Sequence, residues 1–146
     1  MQFMAKLPVI KKILVPMDGS KNSFRGLDYA IYLARQCNAT ITGISVIPYY
    51  PKALLLTPIH YERELASIAK EFMAKAKKRS AQNGIVFNEK ITNGHAVDKI
   101  LDFAREKKFD LIVISARGLG AVKGIFLGST SNGVVHKSKI PVLVVK

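Results

Sequence analysis

The chain has few of the residues from which disulfide-bonded and metal-bound scaffolds are built. Its 146 residues include one cysteine, Cys37, and no tryptophan. A single cysteine excludes an intramolecular disulfide framework and a multi-cysteine metal site, and it is typical of proteins from a reducing compartment. We interpret Cys37 as a small apolar side chain on a helix.

Long apolar runs are also missing. No stretch approaches the roughly 18 apolar residues of a membrane span, and the N-terminal MQFMAKLPV lacks the apolar core of a signal peptide. We therefore expect a cytoplasmic protein without a membrane partner. Residues 1–10 are interpreted as a short leader within one domain that covers 1–146.

Acidic residues are scarce, with 10 Asp and Glu against 23 Lys and Arg and a formal net charge of +13. Such a surface attracts polyanions, including nucleic acid and nucleotides. The simpler interpretation is that the lysines solvate helix faces and complement helix C-termini, as in the run from Lys75 to Arg79. No aromatic residue interleaves with that run, so the sequence supports a nucleic-acid partner only weakly.

Strand-like and helix-like patterns alternate along the chain. Apolar runs predict strands at 11–17, 40–47, 85–92, 110–115 and 142–145. The third run alternates with polar residues, which is typical of an edge strand. Amphipathic stretches predict helices at 21–36 with Ser20 as N-cap, at 59–82 ended by Asn83-Gly84, after Asn93-Gly94, and at 129–136.

This alternation predicts an α/β fold with one five-stranded parallel sheet, strand order 3-2-1-4-5 and helices on both faces, which is a Rossmann-like architecture. In that order, strands one and four flank the point at which connections leave on opposite faces. Ligands bind beside that point, at the carboxyl ends of the strands.

Polar stretches follow both of these strands. Asp18-Gly19-Ser20 comes after the first, and a glycine loop from Ser115 to Gly128 comes after the fourth. Ser129, Thr130 and Ser131 then open the last helix, where backbone amides have no intrahelical partners. Glycine lets the main chain approach an anion closely. The sequence therefore predicts a phosphate site here.

Spacing excludes the best-known phosphate loops. A P-loop requires Lys followed by Ser or Thr after its last glycine, but Lys123 precedes Gly124. A dinucleotide fingerprint begins at Gly118 and Gly120 and meets Lys123 where its third glycine belongs, and it follows the wrong strand.

What remains is Gly118, nine residues, and Gly128-Ser129. Together with the stretches 15–20 and 141–145, this pattern resembles the universal stress protein family from residue 12 to residue 146. Three fixed positions of the signature G-x2-G-x9-G-[ST] match, while Ser115 stands in place of the first glycine. The resemblance implies the adenine nucleotide alpha hydrolase-like fold and binding of ATP, AMP or cyclic AMP.

By this resemblance, Asp18 faces the adenine base, the backbone at Val46 reaches its edge, and Pro16 and Ile114 line the base pocket. Alternatively, Asp18 only makes the Asp-Gly-Ser turn, and the apolar residues only pack the core. The predicted phosphate contacts are Gly118, Gly128, Ser129 and Thr130, assisted by Arg117. Ser115 narrows the ribose space if the missing glycine serves close approach to the ribose. If its φ is negative, the serine is harmless and can bond a ribose hydroxyl.

His60, His95 and His136 show no metal-ligand spacing, and no nucleophile, His and acid follow in a recognisable order. Mg²⁺ would therefore be bound through the phosphates. Three functions stay open: a nucleotide-dependent sensor in stress response, a slow ATPase, and a basic adaptor for a protein or nucleic acid with a degenerate pocket. The family also implies a homodimer through the edge strand 142–145, and an unknown protein partner.

A further expectation concerns residues 49–57, which contain prolines and the adjacent leucines 54–56. Exposed leucines in a loop are unfavourable, so the segment is predicted to pack as a lid or at a partner interface, or simply beneath the loop.

Overall fold

The computed structural model describes residues 5–49, 58–118 and 127–146, with the side chains of residues 58 and 59 excepted. Nearly all of the predicted lid segment and most of the glycine loop, including Lys123, lie outside the described residues. The elements in chain order are β1 (Lys12–Pro16), α1 (Lys21–Cys37), β2 (Thr40–Ile47), α2 (Pro58–Gln82), β3 (Phe87–Asn93), α3 (Ala96–Glu106), β4 (Leu111–Ser115), α4 (Ser129–Lys137) and β5 (Val142–Val145).

The strands form one parallel sheet in the order β3-β2-β1-β4-β5, which confirms the predicted fold. β1 is central, with Leu14 beside Ile112 of β4 and beside Thr42 of β2. β3 is an edge strand, as its alternating sequence predicted, and β5 forms the opposite edge. The carboxyl ends of β1 and β4 are therefore neighbours.

The unbroken apolar run of β1 is explained by burial on both faces of the sheet. Ile13 and Val15 pack in the core beneath α1 and α2, whereas Leu14 packs in the second core beneath α3 and α4. Each is at most 1% exposed. Since side chains alternate faces along a strand, a strand between two helical layers needs apolar residues at every position.

Helix α1 starts where the sequence predicts and ends one residue later than predicted. The Ser20 hydroxyl accepts a hydrogen bond from the Ser23 amide at 3.1 Å, which confirms Ser20 as the N-cap. Asn38 is the C-cap with φ of 54°, so the helix runs to Cys37 and not Gln36. The left-handed conformation at Asn38 ends the helix.

Three strands, β1, β3 and β4, begin one or two residues later than predicted. The Ile85 amide donates to the Ser80 carbonyl at 2.9 Å, so it closes the end of α2 before β3 begins. The Asp110 carboxylate accepts the amides of Lys11 at 2.8 Å and Lys12 at 2.9 Å, and so ties the start of β1 to β4. Within the ranges that the structure describes, no helix is long and apolar enough to cross a membrane.

Candidate functional site

A cavity of about 430 Å³ lies at the carboxyl ends of β1 and β4. Its lining includes every site residue that the sequence predicts: Pro16, Asp18, Val46, Ile114, Ser115, Arg117, Gly118, Gly128, Ser129 and Thr130. Segments more than a hundred positions apart in the chain thus meet at the switch point of the sheet. The contact that each residue makes with a ligand stays a prediction.

One end of the cavity is apolar. Ile44 and Ile114 reach it from the strand ends, and Ala96 and Ile100 close it from α3. The two isoleucines from the strands are at most 4% exposed, so this wall is part of the packed core. Sequence reasoning missed Ile44, although it precedes Val46 by two positions and therefore faces the same side of β2. It also missed the α3 residues, because their approach depends on tertiary packing.

Asp18 does make the predicted turn. Its Oδ1 accepts the Ser20 amide at 2.9 Å, which fixes the carboxylate just beyond β1 at the cavity wall. A Cβ atom on Gly118 would lie 2.1 Å from Asp18 Oδ2. Gly118 is therefore a glycine because its backbone adjoins the Asp18 carboxylate, and this contact joins the two polar stretches.

The N-terminus of α4 opens into the cavity, and within the described residues it has no side-chain cap. Gly128 is the N-cap residue, and the first hydrogen bond along the helix runs from the Asn132 amide to the Gly128 carbonyl at 2.9 Å. The amides of Ser129, Thr130 and Ser131 therefore have no acceptor within the helix. In α1, by contrast, Ser20 supplies such an acceptor. The uncapped end of α4 can receive an anion.

The backbone of Gly128 already makes a hydrogen bond within the protein. Its amide donates to the Ala116 carbonyl at 2.7 Å. A Cβ atom at this position would lie 3.4 Å from that same carbonyl oxygen, which is a tight contact. Gly128 therefore joins the end of β4 to the start of α4, and its contact with a phosphate stays a prediction.

Ser131 is a site residue that sequence reasoning did not single out. It is 3% exposed, and its hydroxyl lies 2.6 Å from the Ala116 carbonyl and 3.1 Å from the Gly128 carbonyl. It thus holds the end of β4 against the start of α4, so that Ala116 and Gly128, on either side of the glycine loop, are fixed relative to each other. Its only sequence signal is its place as the third hydroxyl residue of the Ser129-Thr130-Ser131 run.

Ser115 occupies its position without backbone strain. It is the last residue of β4, and within the described ranges the non-glycine residues with positive φ are Asn38 and Lys108. Its Cβ lies 3.9 Å from the place that a Cβ on Gly26 of α1 would take. The serine side chain is therefore on the α1 face of the sheet, whereas α4 covers the other face.

Charged groups at the cavity are few. Asp18 is half-buried, and Arg117 is exposed at the rim. In the part of the chain that the structure describes, no three His, Cys, Asp or Glu residues are grouped so as to hold a metal ion.

Comparison with known proteins agrees with this geometry. The sequence model of the Universal stress protein family matches residues 10–146. The chain is 31% identical to the universal stress protein YxiE of Bacillus subtilis, over 94% of this chain and the full length of that protein. The structure matches the universal stress protein UspA from Lactobacillus plantarum with a TM-score of 0.88 and 26% identity, covering 96% of this chain and 100% of that one.

A second solved structure is a universal stress protein in complex with cAMP. It matches with a TM-score of 0.74 and 26% identity, covering 93% of this chain and 97% of that chain. The matched length, the strand order and the signature glycines agree, and the chain belongs to the universal stress protein family.

Proposed function

We propose that this protein binds an adenine nucleotide in the cavity and acts as a nucleotide-dependent sensor or regulator of a stress response. The observation that carries the proposal is the uncapped N-terminus of α4, whose amides border the cavity. The cAMP complex of a neighbouring family member supports the same ligand class.

The two ends of the cavity suit the two ends of a nucleotide. A base fits the apolar wall of Ile44, Ile100 and Ile114, and phosphates fit the amides of Ser129 and Thr130. Each hydrogen bond to a charged group contributes about 1.5 to 3 kcal/mol, so three or four of them account for the roughly 8 kcal/mol of a micromolar complex before ordering costs. Burial of the base offsets those costs.

Asp18 favours adenine over guanine. A carboxylate accepts hydrogen bonds, and the exocyclic amine of adenine donates one, whereas guanine presents a carbonyl oxygen at that position. Because the Ser20 amide fixes Asp18 Oδ1, the carboxylate is positioned before the base arrives. A Mg²⁺ ion that accompanies ATP would be held mainly by the phosphates, and we expect hydrolysis to be slow at most.

The purified protein should bind ATP, AMP or cyclic AMP with micromolar affinity and bind GTP at least tenfold more weakly, since one lost hydrogen bond to a charged group costs about 1.5 kcal/mol or more. Isothermal titration calorimetry measures both affinities. Chromatography of the supernatant after denaturation identifies any nucleotide that copurifies. Equal binding of ATP and GTP would contradict the role of Asp18, and no binding of any adenine nucleotide would contradict the proposed function.

We also propose a homodimer through β5. This strand is short and apolar, its outer edge is unpaired within the described chain, and Leu143 on it is 37% exposed. Such an edge can pair with its own symmetry mate.

Leu143→Lys should therefore give a monomer in sedimentation equilibrium, because a charge at the edge opposes strand pairing. Val86→Lys, at the opposite side of the sheet and 61% exposed, is the matched control and should leave the dimer intact. A wild-type protein that sediments as a monomer at high micromolar concentration would rule the dimer out.

A further inference from the structure

The connections that lead from each helix into the next strand all lie at the edge of the sheet opposite the cavity. Because the five strands are parallel, their amino ends share one edge, which we call the lower edge. It consists of residues 5–11 and of the connections 38–39, 83–86, 107–110 and 138–141, together with the last turns of the helices that precede them.

The lower edge is strongly cationic. Its exposed basic side chains include Lys11, Arg35, Lys107, Lys108, Lys137 and Lys139. Its acids are Glu106 and Asp110, and the Asp110 carboxylate already accepts two backbone amides.

A helix dipole accounts for only some of these cations. A cation in the last turn of a helix is stabilised by the dipole, and Lys137 of α4 is an example. Lys107, Lys108 and Lys139 lie in the connections directly after α3 and α4, and Lys107 is the C-cap residue of α3. Within the described residues these three side chains have no ion-pair partner. Positive charge is therefore concentrated at this edge and is not neutralised by ion pairs within the described residues.

Aliphatic side chains accompany the cations. Leu7 is 76% exposed, Val9 is 59% exposed and Val86 is 61% exposed, and these are the most exposed large aliphatic residues in the described ranges. Single exposed aliphatic residues are common on soluble proteins. Here all three belong to the same edge, since Leu7 and Val9 precede β1 and Val86 precedes β3.

We propose that the lower edge is a docking surface for an anionic lipid bilayer. Lys and Arg side chains near a membrane surface are attracted by acidic headgroups, and aliphatic side chains can enter the interfacial layer. The cavity, at the other edge of the sheet, then faces away from the bilayer and stays open to nucleotide. The sequence-based expectation of no membrane partner rested on the absence of a membrane-spanning stretch, and docking at the surface of a bilayer does not require such a stretch.

Nucleic acid fits this edge less well. It would satisfy the cations, but its phosphates would lie against Leu7, Val9 and Val86, which offer no hydrogen bonds. Among the described residues, the exposed aromatic side chains are Tyr29, Tyr32 and Tyr49, which lie in α1 and after the carboxyl end of β2. The described part of the lower edge therefore offers no exposed aromatic ring on which a base could stack.

Co-sedimentation with vesicles tests the proposal. The full chain should bind vesicles of phosphatidylcholine with phosphatidylglycerol, should not bind pure phosphatidylcholine, and should dissociate as salt is raised. The triple variant Lys107→Glu, Lys137→Glu, Lys139→Glu should lower the partition coefficient by at least about a hundredfold, because each lost cation alone costs about fivefold and each added carboxylate is repelled as well.

The matched control carries the same change of charge elsewhere. Lys21→Glu, Lys70→Glu, Lys75→Glu alters exposed lysines within α1 and α2, before their last turns, and should reduce binding much less. Leu7→Ser, Val9→Ser should weaken binding most at high salt, where charge attraction is screened. A circular dichroism spectrum like that of the wild type checks that each variant is folded.

Three results would overturn the proposal. The first is wild-type protein that does not distinguish acidic from neutral vesicles. The second is an equal loss in both triple variants, which would mean that net charge alone acts. The third is tight binding of duplex DNA or single-stranded RNA that vesicles fail to compete away, which would assign the edge to nucleic acid.

Discussion

Ser129→Asp is expected to abolish tight adenine-nucleotide binding without destabilising the protein. Ser129 is the first residue of α4 and lines the cavity, and its side chain is exposed. A carboxylate there occupies the electrostatic position that a phosphate would take, so it repels the ligand and competes for the same amides. The same carboxylate interacts favourably with the helix dipole, by about 0.3 to 1 kcal/mol.

Calorimetry and thermal unfolding together measure this result. Loss of one or two charge-assisted hydrogen bonds costs about 3 kcal/mol, so the dissociation constant should rise by about a hundredfold or more. The unfolding midpoint of the free protein should stay level or rise. Ser129→Ala is the matched control, since it removes the hydroxyl without adding charge, and it should bind within about tenfold of the wild type.

Two other combinations of results for Ser129→Asp and Ser129→Ala would each point to a different phosphate contact. If Ser129→Asp binds nucleotide as tightly as Ser129→Ala, the phosphates do not reach the N-terminus of α4. If both variants lose binding equally, the hydroxyl and not the backbone is the main contact. Either outcome would contradict the proposed use of the uncapped helix.

The features of this fold that the sequence predicts are those encoded by short-range patterns. Unbroken apolar runs such as 13–15 indicate a strand buried on both faces. Ser20 begins α1 through a hydrogen bond to a residue three positions away, and Gly84, with its positive φ, follows the end of α2. Right-handed crossovers then fix the face on which each helix lies, and the position of the cavity follows from the strand order.

The contacts that could not be predicted join residues that only tertiary structure brings together. The Gly128 amide, for example, donates to the Ala116 carbonyl at 2.7 Å, and this contact joins the end of β4 to the start of α4. Ser131 looked like one more polar residue, yet it is buried against that same carbonyl. The face of the sheet on which the Ser115 side chain lies depends on the pleat of β4, and the spacing of glycines in the signature does not indicate that face.

Gly43 in β2 is a position at which a single added methyl group should be costly. A Cβ atom there would lie 2.5 Å from Phe87 Cζ and 3.0 Å from Met73 Sδ. Phe87 is 4% exposed and Met73 is fully buried, so neither can move into solvent. Gly43→Ala should therefore lower the free energy of unfolding by about 1 to 3 kcal/mol.

The direction in which Gly43→Ala changes the free energy of unfolding discriminates between a packing clash and the lower conformational entropy of alanine in the unfolded chain. Without a clash, replacing glycine in a strand with alanine would stabilise the protein by about 0.4 to 1 kcal/mol, because the unfolded chain loses entropy. Urea denaturation of the wild type, Gly43→Ala, Phe87→Leu and the double variant measures the coupling. Leucine lacks the ring atoms that approach Gly43, so the double variant should be more stable than the sum of the single effects predicts. Additive effects, or a stabilised Gly43→Ala, would show that the Phe87 ring is not what requires glycine at this position.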